Sequence, residues 1–226
     1  MSALPDDALA ATVPPAVPVA PVVPTAPAAT GTVRKRPRPG ERRVQILQTL
    51  AQMLEQPGAE RITTAALAAK LEVSEAALYR HFASKAQMFE GLIEFIETSV
   101  FTLVNQIVER EPSGSAQVHK IAAMLLQFAE KNPGMVRVMV GDALVFEHER
   151  LNARMNQFFD RLESQFRQSL RAAAEAAGSA TPTVDAQALA SALVALLVGR
   201  LQRYARSGFR RLPTEHLEPA LTRLAA

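Results

Sequence analysis

An all-α protein, with a small N-terminal helix-turn-helix head on a larger helical body, is what three features of the sequence predict. Hydrophobic residues make up 48% of the chain but aromatics only 5%, with no Trp. Ala and Leu therefore supply most of the apolar content, and they favour helices over sheets. Beyond residue 40, apolar residues recur at three- and four-residue intervals. Helix start and stop signals cut that pattern into pieces of helical length, and no stretch alternates as a half-buried strand does.

The elements follow in order. Residues 1–40 hold nine of the fifteen prolines. Proline removes backbone donors and nothing there repeats with a helical period, so an extended, disordered tail is expected. It ends in the basic run Arg34-Lys35-Arg36-Pro37-Arg38, suited to phosphates or to a minor groove beside the main contact. A first helix over 41–55 places Val44, Leu47, Leu50 and Leu54 on one stripe and stops at Pro57-Gly58. Thr63 caps a second helix, with Ile62 and Leu67 as its hydrophobic staple. After a turn at Glu72-Val73, Ser74 caps a third helix through Phe82. Ser84 opens a fourth, with Gln87 completing a capping box, and this helix extends to Glu109. Breaks at 112–114, 132–134, 178–182 and near Gly208 leave helices over 116–131, 134–146, 148–177 and 184–207.

The domain organisation expected is a tail (1–40), a helix-turn-helix domain (41–88) and a regulatory and dimerisation domain (89–226). The net charge of +3 is unevenly spread. From Arg34 to Lys85 there are ten Lys/Arg against five Asp/Glu, whereas residues 86–226 balance at fifteen of each. A basic module on a neutral body points to a polyanionic partner.

Leu67, Ala68, Leu71, Val73 and Leu78 have the spacing of two short helices crossing at a tight turn. That crossing leaves the outer face of 74–81 free to enter a major groove. Ser74 opens that face, which presents Glu75, Ala76, Tyr79, Arg80 and His81. Arg80 and His81 can donate to base edges or phosphates, and Ala76 can meet a thymine methyl. Tyr79 and Lys85 flank the helix and suit phosphates, while Thr63 and Thr64 add hydroxyls at a helix N-terminus.

The run Ile62-Thr63-Thr64-Ala65-Ala66-Leu67-Ala68, then Val73-Ser74-Glu75-Ala76-Ala77-Leu78-Tyr79-Arg80-His81-Phe82-Ala83-Ser84-Lys85, resembles the DNA-binding signature of the TetR family. The resemblance implies an N-terminal three-helix DNA-binding domain and a helical regulatory domain that dimerises. Glu72 departs from it, since the family usually has Gly at this turn. If the position needs a positive φ, Glu costs about 1 kcal/mol relative to Gly.

Similarity continues beyond the head. Leu92-Ile93-Glu94-Phe95-Ile96-Glu97, Glu130-Lys131-Asn132-Pro133-Gly134, Ala143-Leu144-Val145-Phe146-Glu147-His148-Glu149-Arg150-Leu151 and residues 156–171 resemble the nucleoid occlusion branch of that family. The likeness covers most of 41–217 and excludes the tail. It implies a homodimer that binds palindromic chromosomal DNA and blocks assembly of FtsZ, the cell-division GTPase, over the nucleoid. It also implies an FtsZ-binding surface at Phe95, Leu125, Phe128, Lys131 and Asn132. An apolar groove rimmed by basic groups would suit a short acidic-hydrophobic peptide. A ligand-responsive TetR-type repressor is the alternative.

Two C-terminal helices carry the expected dimer interface. Leu151, Met155, Phe158, Leu162 and Phe166 follow heptad-like, coiled-coil spacing, and Leu189, Leu193, Leu196, Leu197 and Leu201 form a broad apolar face. A two-fold pair would set two recognition helices about one DNA turn apart.

Catalysis has little to stand on. There is no Cys, which excludes disulfides, thiolate metal sites and a cysteine nucleophile. His81, His119, His148 and His216 lie far apart, and no phosphate loop or nucleophile elbow is present. No enzyme, cofactor or metal is expected, and Glu147-His148-Glu149 reads as a solvated helix start. The N-terminus lacks a secretory pattern, and the longest apolar run, 188–199, is too short to span a bilayer, which takes about 20 residues. A cytoplasmic, nucleoid-associated protein is expected.

Overall fold

A computed structural model describes residues 40–56 and 62–224. Within them the elements are α1 (Glu41–Leu54), α2 (Thr64–Lys70), α3 (Glu75–Tyr79), α4 (Lys85–Arg110), α5 (Gly114–Lys131), α6 (Pro133–Met139), a 3-10 turn (Asp142–Leu144), α7 (Glu149–Ala176), α8 (Pro182–Arg206) and α9 (Leu217–Leu224). No strand occurs among the described residues. The tail through residue 39, with Arg34, Lys35 and Arg36, and the stop signal Pro57-Gly58 lie outside them.

Local chemistry sets most boundaries. Thr63, Ser74, Ser84 and Ser113 each accept a bond from the backbone N–H three residues on, satisfying donors that a helix start leaves open. Pro133 and Pro182 occupy first-turn positions where no N–H is required. Three sequence expectations need correction. The recognition helix ends at Tyr79, not Phe82: His81 N–H bonds back to Leu78 O, three residues before it, in a closing turn that seats Phe82 in the core at 1% exposure. The helix expected over 134–146 stops at Met139, since Gly141 takes φ 84° and turns the chain into the 3-10 segment. The amphipathic α9 was not anticipated; its Leu217 and Leu221 pack into the core.

One hydrophobic core runs from Ile46 on α1 to Leu221 on α9. Helix α4 carries it across both parts of the chain. Its first half (Met88, Phe89, Leu92) closes the head, and its second (Ile96, Val100, Leu103, Val104, Ile107) enters the body. Although α4 and α8 are long and apolar enough to cross a bilayer by composition, these apolar residues of α4 are spent on the bundle. Helix α6 reaches back to α1: a Cβ at Gly134 would lie only 2.1 Å from the Ala51 carbonyl oxygen. Only glycine permits that backbone-to-backbone approach.

In the body, α7 and α8 pair along most of their length, with Arg167 of α7 donating to Gln187 of α8 at 2.9 Å. Here the expected dimer interface is corrected. Leu151, Met155, Phe158, Leu162 and Phe166, with Leu193, Leu197 and Leu201, are all buried inside one protomer. Their spacing is that of a core-facing helix stripe, which a heptad pattern resembles over a few turns. Leu189 and Leu196 stay half-exposed. The open face of α8 is a different stripe, of small residues: Val184, Ala188, Ala192 and Ala195, all exposed, and half-exposed Gly199.

Candidate nucleic-acid interface

The head is built around α2 and α3. Leu67, Ala68, Leu71 and Leu78 are buried between them, as their spacing predicts, and Val73 is half-buried. The turn from α2 into α3 is a Schellman closure: Glu72 N–H donates to Ala69 O and Val73 N–H to Ala68 O, both at 3.0 Å. Glu72 sits at φ 54°, the left-handed region that glycine normally fills.

The closure turns α3 so that Ser74, Glu75, Ala76, Tyr79 and Arg80 are exposed together, followed by His81. Tyr79 is 46% exposed, unusual for a large ring without a partner surface. Thr63 is exposed and Thr64 half-buried at the start of α2. Thr64 Oγ1 donates to Glu75 Oε2 at 2.6 Å, tying the two helix N-termini together. That bond assigns Glu75 a bracing role beside any contact it makes. Ser74 likewise spends its hydroxyl on Ala77 N–H at 3.3 Å.

Two supports were not read from the sequence. The Arg43 guanidinium of α1 lies 4.1 Å from the centroid of the Phe82 ring and donates to His81 O at 3.1 Å, anchoring the end of the recognition element. Lys85, the first residue of α4, is half-buried, and its Nζ meets Glu147 Oε1 at 2.5 Å. Glu147 is thus an ion-pair partner and not a solvated helix start; its side chain is only 9% exposed. The capping box at Ser84 is also modified, because Gln87 Oε1 accepts from Ala83 N–H at 2.8 Å. His148 caps α7 by accepting from Arg150 N–H.

Along the head–body boundary, two more ion pairs bind α4 to α7. Arg150 meets Glu90 at 2.7 Å, and Arg154 grips Glu97 with bonds of 3.0 and 2.5 Å. The Glu97 carboxylate raises the Arg154 guanidinium above its ordinary value, with Glu94 and Glu90 adding to the effect. Such long-range partners have no local sequence signal.

The five residues expected to contact FtsZ fall into two kinds. Phe95 is half-buried, its ring 6.3 Å from that of Phe128, and Lys131 is exposed at the end of α5. Leu125 and Phe128 are 0% exposed, and Asn132 is 4% exposed with its Nδ2 donating to Phe128 O at 2.8 Å. The expectation that Leu125, Phe128 and Asn132 line an open groove is therefore corrected. They pack the core or close a helix end, and no partner meets them unless the core opens.

Two recesses lie on the body. The pocket between α5, α7, α8 and α9, lined by Val118, Leu170, Leu193 and Leu221, measures about 30 Å³, space for a water or two. A shallower cleft of about 530 Å³ lies on the open face of α8, bounded by Leu196, Gly199, Arg200, Arg203 and Leu212. Burial and the neighbouring Arg203 lower the Arg200 guanidinium from its ordinary value.

Comparison with known proteins agrees with this architecture. Residues 46–92 match the model for bacterial regulatory proteins of the tetR family, and residues 114–225 match that for the SlmA-like tetracyclin repressor-like C-terminal domain. The nucleoid occlusion factor SlmA of Idiomarina loihiensis is 52% identical over 175 residues, covering 77% of this chain and 89% of that protein. The SlmA of Aliivibrio fischeri is 51% identical over 191 residues, covering 84% and 97%. Among solved structures, a TetR-like transcriptional regulator from a Rhodococcus species superposes with a TM-score of 0.66 at 20% identity, covering 84% of this chain and 96% of that one. FadR of Bacillus subtilis, solved with stearoyl-CoA, gives 0.64 at 10% identity, covering 80% and 97%. At such identities these structures speak for the fold alone.

Proposed function

This chain belongs to the TetR family, among the nucleoid occlusion factors SlmA, and we propose that it is a nucleoid-associated cytoplasmic homodimer that binds palindromic DNA and, when bound, inhibits FtsZ ring assembly. The observation that carries the DNA half is the exposed face of α3, held outward by a closed turn and braced by Arg43 and Thr64. Ala76, Arg80 and His81 read base edges there, and Thr63, Tyr79 and Lys85 hold phosphates. The division into a DNA-binding head (41–88) and a regulatory body (89–226) belongs to this reading, with the basic Arg34–Arg36 segment as an added phosphate contact.

The dimer seam follows the stripe of small residues on α8. Ala188, Ala192, Ala195 and Gly199 allow two copies of the helix to cross closely, and Leu196 packs beside them. For FtsZ the reading takes half-buried Phe95 of α4 and exposed Lys131 at the end of α5, linked through the Phe128 ring that packs 6.3 Å from Phe95. Leu125, Phe128 and Asn132 support that surface from beneath. The protein acts by binding and not by catalysis.

Phe95→Ala tests the two-surface reading. It is expected to keep palindrome affinity within about two-fold while losing FtsZ binding. Equal loss of both would make Phe95 a packing residue and remove FtsZ from this surface.

A further inference from the structure

The ion pair between Lys85 and Glu147 joins the candidate DNA face to the body. Lys85 opens α4, so a phosphate approaching that helix end meets its ammonium at the positive end of the helix dipole. In the described state the ammonium is already engaged, 2.5 Å from a carboxylate whose side chain is only 9% exposed. A phosphate and Glu147 cannot share it comfortably, because two anions would then be held within a few ångströms in a partly desolvated place.

Glu147 closes a short turn that starts at Gly141 (φ 84°) and includes the 3-10 segment 142–144. The same turn displays Val145 and Phe146, 66% and 60% exposed. A carboxylate that loses its cation inside a structure moves toward water. Arg150, bound to Glu90 on α4, ties the first turn of α7 on the far side of residues 141–148.

We propose that the Lys85–Glu147 pair is a DNA-responsive latch: backbone phosphate takes Lys85, Glu147 is released, and the turn carrying Val145 and Phe146 shifts, reporting DNA occupancy to the body. The inference rests on the reading of Lys85 as a phosphate contact. It gives DNA a physical route by which to change a surface that a division protein could meet.

The chain has no Trp, so Phe146→Trp supplies a single fluorescent reporter on the turn. The full-length variant is titrated with a palindromic duplex selected by the unaltered protein from a random pool. Emission is expected to shift on saturation. Adding Glu147→Gln, or separately Lys85→Met, should produce the shifted emission without DNA, and duplex should then change it no further. Glu147→Gln should also tighten duplex binding about three-fold or more, because a neutral amide competes poorly for Lys85. An equal DNA-induced shift with and without Glu147→Gln, or weaker duplex binding by that variant, would overturn the latch and leave Glu147 as a residue that merely positions Lys85. Failure of the unaltered protein to select any duplex would remove the DNA-binding reading, and the latch with it.

Discussion

At the scale of single residues, the head depends on a few positions where backbone or charge is held against its ordinary preference. Glu72 occupies a left-handed turn at φ 54°, which a side chain with Cβ tolerates at about 1–2 kcal/mol. Part of the gain from glycine is offset by its freer unfolded chain. Glu72→Gly is accordingly expected to raise unfolding stability in urea by up to about 1 kcal/mol while leaving DNA affinity unchanged. Lys85 makes the opposite case. If it holds a phosphate in each protomer, Lys85→Ala should lower the slope of log affinity against log salt by about 1.8 per dimer. Titrations at several salt concentrations check this, and an unchanged slope would deny the phosphate contact.

Among the elements, the sequence was most informative where the signal is local. The caps at Thr63, Ser74 and Ser84, the buried set Leu67, Leu71 and Leu78, and the exposed face of α3 follow from neighbours within a turn or two. Contacts that depend on distant partners were not legible. The pairing of Lys85 with Glu147 and the stacking of Arg43 on Phe82 join residues 62 and 39 positions apart, and no periodicity encodes them. The heptad-like stripe of α7 misled for a related reason. Periods of 3.5 and 3.6 diverge by only about 20° per heptad, so a short stripe does not say whether its partner is the same chain or a second one. Leu125 and Phe128 failed as surface residues because similarity marks a position without stating its depth. Gly134 carries the element-scale prediction. Gly134→Ala forces α6 away from the Ala51 carbonyl of α1 and should cost about 1–3 kcal/mol, as overpacking does. A thermal melt of the variant reads that loss, and an unshifted melt would show that the two helices separate freely.

For the whole molecule, the important property is that the head is not an independent bead. The continuous core through α4, the α1–α6 contact at Gly134 and three ion pairs between α4 and residues 147–154 bind it to the body. On the proposed function, packed structure gives a change at the DNA face a path to the body, where the second protein would be met. The most direct measurement is sedimentation of FtsZ polymer formed with GTP, in the presence of this protein, with and without a palindromic duplex that it binds. Pelleted polymer should fall sharply only when protein and duplex are both present, and should recover with Phe95→Ala. Polymer that pellets equally with and without duplex would contradict the account and leave a TetR-type repressor in its place.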